Sequence, residues 1–498
     1  MNTAVNLAEL IEGHGDDHVA LWSRGRPTTY GALRHQVASV RGGLLGLGVQ
    51  PGDRVALVCG NDRSFVVSYL AVLGIGAVAV PLNPTDPGPA LAREIEDVKP
   101  VVAVVAAAAR GTWQTMDPAS RSSVRSVVTV EWDDSDAIWF DSLVVSPPAP
   151  IVPVGPDAPA LLMFTSGTAG APRAAIVTHG NLRSNIDQNQ AAGALTSADV
   201  VFGVLPLFHI FGLNAVLGIA LAAGATVVLV QRFDPSTALE TIIERGCTVV
   251  PGAPPMWGAW AQFHEADPDA FAGVRLALSG GARLPVETAR AFEQRFSVPI
   301  REGYGLTEAA PVVTSSVQMD PVAGTIGTVL PGVEVRLVDL DGDDVDDGEP
   351  GEIWVRGPNV FAGYWNDPDG TARVLTGDGW LRTGDVAVRS ADGRLSIVDR
   401  MKDLVIVSGF NVYPAEVEAV LAGHRDVAEV AVVGVPHPLT GEAVKAFVVA
   451  EPGSNVGEDT LIEYCGERLA RYKCPSKVLF VDELPKALGG KLLRRELR

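Results

Sequence analysis

The stretch Leu161-Leu-Met-Phe-Thr-Ser-Gly-Thr-Ala-Gly-Ala-Pro-Arg173 decides how this chain is read. An apolar run feeds a loop packed with hydroxyls and glycines, and a cation closes it. Gly167 and Gly170 let backbone N–H groups approach an anion. The hydroxyls of Thr165, Ser166 and Thr168 can donate hydrogen bonds, and Arg173 supplies positive charge. Such a loop suits a polyphosphate. It is not a Walker A loop, because Gly-Lys-Ser/Thr is absent. A Ser/Gly-rich surface turn competes as a reading of the loop alone, and the rest of the chain breaks the tie.

Outward from that loop, short β-branched runs alternate with Ala/Leu-rich helical stretches. The pattern predicts strands at 55–58, 77–81, 101–106 and 124–130, with a helix over 64–73. Further strands are expected at 200–205, 225–230, 248–250 and 274–279. This rhythm indicates βαβ units and mostly parallel sheets flanked by helices. The rhythm changes near residue 333. The runs 333–340 and 352–356 flank an acidic turn and predict a β-rich, hairpin-containing subdomain. After Arg400 comes a smaller α+β unit, with a helix at 414–421 and strands at 427–433 and 443–449. The proline-rich segment 146–160 is expected to cross between subdomains. The fold class is therefore α/β, with a large N-terminal part and a small C-terminal one.

The chain has 498 residues, too many for one ordinary domain. Its net charge of −20 argues against nucleic-acid binding and against an anionic membrane surface. The last segment, 471–498, reverses that sign, with eight Lys/Arg against three Asp/Glu. Cys59, Cys247, Cys465 and Cys474 form no C-x-x-C pair, which fits a reducing, cytoplasmic setting without a zinc site. The N-terminus shows no secretion signal, and the apolar run 215–230 is short for a membrane span and contains Gly218 and Gly224. The acidic cluster 341–349 is no calcium loop, since Asp344 stands where the sharp-turn glycine would be.

Five further segments come in order: Tyr304-Gly-Leu-Thr-Glu308, Gly351-Glu-Ile-Trp-Val-Arg-Gly357, Trp380-Leu-Arg-Thr-Gly-Asp385, Asp399-Arg-Met-Lys-Asp403 with Ser408-Gly-Phe-Asn-Val-Tyr-Pro414, and Pro485-Lys-Ala-Leu-Gly-Gly-Lys491. With the glycine loop they resemble the adenylate-forming superfamily, and within it the acyl-CoA synthetases. The resemblance implies an N-terminal AMP- and acyl-binding domain over 1–398, a hinge at 399–402, and a small mobile domain over 403–498. It implies ATP, Mg2+ and coenzyme A as cofactors and substrates, and a monomer or homodimer. The chain's end, seven residues after Lys491, is expected to leave no room for a carrier-protein domain.

The chemistry the resemblance implies has two steps. A carboxylate attacks the α-phosphate of ATP, giving acyl-AMP and pyrophosphate, and the CoA thiol then displaces AMP. Thr165, Ser166, Gly167, Thr168, Gly170 and Arg173 would hold the outer phosphates. Thr307 would contact the α-phosphate and Glu308 the magnesium ion; a helix-terminal carboxylate is the competing reading of Glu308, which the surrounding motif disfavours. Asp385 would accept from the ribose hydroxyls, and Arg400 would make a second ribose or phosphate contact. Gly280, Gly281 and Ala282 would pack on adenine, and Tyr304 would cover the ring or fill the core. Lys491 would bridge carboxylate and α-phosphate in the first step only. Lys402 occupies the hinge position, after which Ser408, Gly409 and Phe410 would face the thiol's path. Lys445 is either a CoA-side cation or a strand-surface lysine. His209 stands at the mouth of the acyl pocket or is a core histidine. Where family loops end Pro-Lys-Gly, this one ends Pro172-Arg173-Ala174, which puts loop mobility and turnover in question.

Phe208-His209 replaces the Phe-Asp pair of amino-acid-activating relatives, and Gly303 stands where malonate-activating relatives carry a basic residue. An unpaired carboxylate in an apolar pocket is costly, so a dicarboxylate is disfavoured. Phe208, Ile210, Phe211, Met256, Trp257 and Val312, with room at Gly303, predict an apolar acyl pocket. A medium- or long-chain fatty acid fits it best, and an aryl acid is second. An acyl-AMP ligase serving a carrier protein, a luciferase-like oxygenase and a catalytically silent nucleotide binder are the competing classes.

Overall fold

The computed structural model describes residues 5–165, 172–193, 195–407, 410–437, 440–486 and 492–497. The chain divides into two compact units. One comprises Met1–Val335 and Val355–Leu381, the other Arg336–Trp354 and Arg382–Arg498.

The first unit is α/β and carries two large sheets. In the eight-stranded sheet, Arg54–Val58 and Val78–Leu82 form a parallel centre, extended by Val102–Ala106 and Ser126–Val130. Val/Ala/Leu runs buried on both faces are what a parallel sheet covered by helices requires. On the other side Pro159–Thr165 joins Val78–Leu82 in parallel and turns back antiparallel into Arg173–Thr178. Gly363–Tyr364 then pairs antiparallel with Arg173–Thr178 as the edge. The helix Arg63–Ile75 is buried almost throughout. Asp62 starts it by accepting from the Phe65 N–H at 2.9 Å, and Gly76 ends it at φ +79°, a conformation a Cβ would oppose.

The nine-stranded sheet has Val200–Gly203, Thr226–Leu229, Val249–Gly252, Leu276–Ser279 and Ile300–Gly305 in parallel. Val312–Ser315 and Thr328–Val329 continue it antiparallel. Its far end comes from the start of the chain: Val19–Ser23 pairs in parallel with Thr226–Leu229, and Arg26–Thr29 pairs antiparallel with Val19–Ser23 as the edge. The apolar run 215–230 lies between these strands. It forms a π-helix over Phe211–Gly218, an α-helix over Ile219–Ala223, a left-handed turn at Gly224 and the strand. The helical part of the run is thus π-helical in its first half and α-helical in its second. No helix among the described residues is long and apolar enough to cross a membrane. Below this sheet sits an aromatic cluster: Phe271 meets Phe292, Phe296 and Trp260 with ring centroids 4.9, 4.9 and 5.2 Å away.

The second unit includes the antiparallel pair Leu381–Arg389 and Leu395–Arg400 for nearly all its length. The acidic turn before it is a solvated one, with Asp339 accepting from the N–H groups of Asp341 and Asp343. Beyond Arg400 a five-stranded sheet is built on the long hairpin Val427–His437 and Gly441–Ala450, with Lys477–Phe480 added in parallel. The helices Pro414–Ala422 and Glu458–Gly466 supply Val417, Leu421 and Leu461 to its core.

Removing one ring of the aromatic cluster leaves a cavity that close-packed neighbours cannot fill. Phe292→Ala is expected to cost about 3–5 kcal/mol, read from the denaturant midpoint of tryptophan fluorescence; a cost under about 1 kcal/mol would show that the cluster does not anchor this half of the unit.

Candidate active site

The glycine loop leaves one strand and returns in the next. Thr165 faces Arg173 in register, and its Oγ1 donates to the Arg173 carbonyl at 3.5 Å. Ser166, Gly167, Thr168 and Gly170 lie outside the described residues. Arg173 does not present an unpaired cation. Its Nε lies 3.0 Å from Asp367 Oδ2, and its guanidinium is 5.4 Å from the centre of the Tyr364 ring.

Thr307 and Glu308 lie on a single 3-10 turn, Thr307–Ala309, both half-buried. The backbone just beyond Glu308 is irregular and buried, and each polar group in it needs a partner. Three buried asparagines provide them. Asn359 Nδ2 donates to the Ala309 carbonyl at 2.9 Å, and Asn214 Nδ2 to the Ala310 carbonyl at 2.7 Å. Asn185 donates to the Val312 carbonyl at 2.7 Å and accepts from its N–H at 3.1 Å. The Glu308 carbonyl accepts from the Phe361 N–H at 2.8 Å. The Glu308 carboxylate accepts from the Tyr364 O–H at 2.7 Å. Burial first, and the neighbouring Glu308 next, push the Tyr364 phenol well above its usual range, so it remains a donor at neutral pH.

Tyr304 is half-buried on the strand Ile300–Gly305, opposite Thr314. Gly280 is buried while Gly281 and Ala282 are exposed. The Phe211 ring lies against Gly280, 3.0 Å from where a Cβ would stand, so a larger residue there would have to push the ring aside. His209 is exposed, and its Nδ1 accepts from the Phe211 N–H at 3.3 Å, which removes the core-histidine alternative. The expected pocket residues divide. Phe208, Phe211 and Val312 are half-buried, and Met256 is 7% exposed. Ile210 and Trp257 are packed into the core, with Trp257 edge-on to Phe292 at 5.0 Å. Trp257 lies on the helix Pro254–Gln262, whose Trp260 belongs to the same aromatic cluster. Gly303 pairs with Ser315, and a Cβ there would stand 3.0 Å from the Thr314 carbonyl.

In the second unit Asp385 and Arg400 are register partners on adjacent strands, joined by an Nε–Oδ1 ion pair of 2.9 Å. Asp399 Oδ2 accepts from the Ala415 N–H at 2.7 Å and so ties the strand's end to the next helix. Lys402 lies on the 3-10 turn Met401–Asp403, its side chain outside the described residues. Ser408, Gly409 and Lys491 also lie outside them, as does the side chain of Phe410 on the strand Phe410–Val412. The residues flanking Lys491 are secured. The Leu493 N–H donates to the Pro485 carbonyl at 2.9 Å, Lys486 pairs with Glu429 at 2.7 Å, and Arg494 with Glu418 at 2.7 Å. Lys445 is half-buried on its strand, with Nζ 4.6 Å from the centre of the Phe447 ring.

Tyr364, Asp367, the three asparagines and Glu302 are absent from the residues picked out by sequence. An Asp-Pro helix start at Asp367-Pro368 is legible as a cap; its closeness to Arg173 is not. Glu302, two residues before Tyr304, is buried, and its Oε1 accepts from the Gly324 N–H at 3.3 Å. Burial raises its carboxyl to about 7.

Comparison with known proteins gives a consistent set. The family model described as AMP-binding enzyme matches residues 7–365, and that of the AMP-binding enzyme C-terminal domain matches 416–491. A long-chain-fatty-acid–CoA ligase of Yersinia pestis is 38% identical, covering 91% of this chain and 86% of the relative. A feruloyl-CoA synthase of Amycolatopsis is 37% identical over 95% of this chain and 94% of the relative. The crystal structure of ATP-bound MatB from Rhodopseudomonas palustris aligns with a TM-score of 0.92 at 32% identity, covering 100% of this chain and 98% of that one.

Glu302 makes stability depend on pH. Its folded carboxyl is raised from 4.5 to about 7, so the folded state holds a proton that the unfolded state has lost across that window. This contribution to stability is full below 4.5 and is lost as pH rises through 7. Relative to the parent, Glu302→Gln is expected to gain up to about 3 kcal/mol between pH 4 and pH 8. Paired melting curves check this, and a difference independent of pH would rule it out.

Proposed function

We propose that this chain, which belongs to the AMP-binding enzyme family, is an ATP-dependent, AMP-forming carboxylic acid–CoA ligase. The observation that carries the reading is similarity across 91% and 95% of the chain to two relatives named as a CoA ligase and a CoA synthase. In the proposed reaction a carboxylate oxygen attacks the α-phosphorus of ATP and pyrophosphate leaves. The CoA sulfur then attacks the acyl carbon and AMP leaves.

The roles follow the chemistry of each group. The loop from Thr165 to Arg173 cradles the outer phosphates, and Thr307 approaches the α-phosphate. Asp385 keeps acceptor capacity for ribose hydroxyls beyond its bond to Arg400. Gly280, Gly281, Ala282 and Tyr304 form the adenine side. Lys491 neutralises charge on the attacking carboxylate and α-phosphate in the first step. For the second step the part 403–498 turns about 399–402, with Lys402 at the hinge, and brings Ser408, Gly409 and Phe410 to the thiol, Lys445 serving as a CoA-side cation. Arg494, paired with Glu418, supports this by fixing the chain just beyond Lys491.

Mg2+ takes hard oxygen ligands, commonly one or two carboxylates with substrate phosphates. Thr307 and Glu308 offer oxygen donors of that kind on one turn. Glu308 would hold the ion, which when bound neutralises charge developing on the phosphates. The four cysteines are unpaired, which supports a reducing, cytoplasmic setting.

The acid we assign is a medium- or long-chain fatty acid. The apolar character of half-buried Phe208, Phe211 and Val312 and of Met256, in a segment that also carries exposed His209, supports this reading. An aryl acid is the second reading, favoured by the 37% identity to the feruloyl-CoA synthase.

CoA-dependent AMP formation across acids from acetate to palmitate, with benzoate and ferulate, tests the assignment. Turnover should peak on an aliphatic chain; a ferulate peak would replace the fatty acid by the aryl reading. Lys491→Ala should lower acyl-AMP formation by at least about a hundredfold and leave thioester formation from supplied acyl-AMP near the parent rate. Equal loss of both steps would remove Lys491 from its assigned role.

A further inference from the structure

We propose that Tyr364 is a positioning residue that sets the Glu308 carboxylate for a divalent cation, and that Arg173 and Asp367 brace the phenol from behind. The inference rests on the reading of Glu308 as the cation's ligand.

The geometry is a chain of contacts within the first unit. Tyr364 Oη donates to Glu308 Oε1 at 2.7 Å, while the backbone three residues earlier, at Phe361, donates to the Glu308 carbonyl at 2.8 Å. One short segment thus grips both the main chain and the side chain of the same residue. An ionised carboxylate can only accept, and it accepts at several sites, so a donor on one oxygen restricts its rotamers without using up its capacity. A ligand ordered before the cation arrives does not lose that freedom on binding.

The phenol is itself held. The Tyr364 N–H donates to Thr371 Oγ1 at 2.8 Å, and the Phe361 ring meets its ring edge-on at 5.0 Å. The Arg173 guanidinium lies 5.4 Å from its ring centre. Arg173 is fixed by Asp367 Oδ2 at 3.0 Å, and Asp367 Oδ1 accepts from the Gly370 N–H at 2.7 Å, capping the helix Pro368–Val374. The arginine that closes the glycine loop is therefore also part of the wall behind Glu308. Its longer, planar head suits it to do two things at once, pair with a carboxylate and lie by a ring, which a lysine does less well.

Tyr364→Phe tests the idea, since it keeps the ring and removes one O–H. ATP affinity is measured by calorimetry with and without Mg2+, beside the Mg2+ concentration that half-saturates pyrophosphate release. The Mg2+-dependent gain in ATP affinity should fall about tenfold, the factor expected for a hydrogen bond to a charged group, and half-saturating Mg2+ should rise to match. KM for the acid should not move. Asp367→Asn, which keeps a capping side chain, should shift the same two readouts in the same direction, and adding it to Tyr364→Phe should contribute little more. Glu308→Gln in the same titration separates the two levels. A gain untouched by Glu308→Gln would remove the cation reading itself. A gain abolished by Glu308→Gln but unchanged in Tyr364→Phe would overturn the positioning role alone.

Discussion

Irregular backbone buried between two strands must find a partner for every N–H and C=O it removes from water, and the turn after Glu308 meets that demand with asparagines. Asn359, Asn214 and Asn185 are at most 2% exposed and between them serve Ala309, Ala310 and Val312. An asparagine can give and take hydrogen bonds without a charge, so it satisfies such a turn at no desolvated-ion cost. The three come from three elements: the segment before Gly363, the π-helix Phe211–Gly218 and the helix His179–Ala191. The position of the Glu308 backbone is therefore a consequence of how those elements pack.

The same demand explains two features that look like irregularities. The π-helix carries Asn214 under the turn, and Gly218 closes it because a Cβ there would stand 2.6 Å from Asn214 Oδ1. Wide helical turns of this kind occur where a side chain must be re-aimed. Gly305 sits where a Cβ would fall 2.0 Å from the Pro311 carbonyl, so the Tyr-Gly pair is required by the close return of the chain as well as by any ligand.

Charge is handled differently in the two units. In the first, Arg173 meets Asp367 at a half-buried site where the pair and the Tyr364 ring together offset the loss of water. In the second, Asp385 and Arg400 are matched across neighbouring strands, and Arg494 lies among Glu418, Asp399 and Asp403, with Glu418 at 2.7 Å and Asp403 at 3.7 Å. In a chain with a net charge of −20, each of these arginines is thus held by at least one carboxylate.

Local pattern determined much of this protein. Alternation of β-branched and Ala/Leu-rich runs is enough to read the parallel strands at 54–58, 78–82 and 102–106, because period and burial are properties of neighbours along the chain. The motifs in their order likewise resemble those of the adenylate-forming superfamily, and it is that resemblance which implies the chemistry before any contact is known. The partners were beyond its reach. Nothing local says that Val19–Ser23 joins the sheet beside Thr226–Leu229, that Tyr364 lies next to Arg173, or that Trp257 belongs to an aromatic cluster. A strand edge or a buried charge requires some partner, and which one it meets is decided by the packing of segments far apart in sequence.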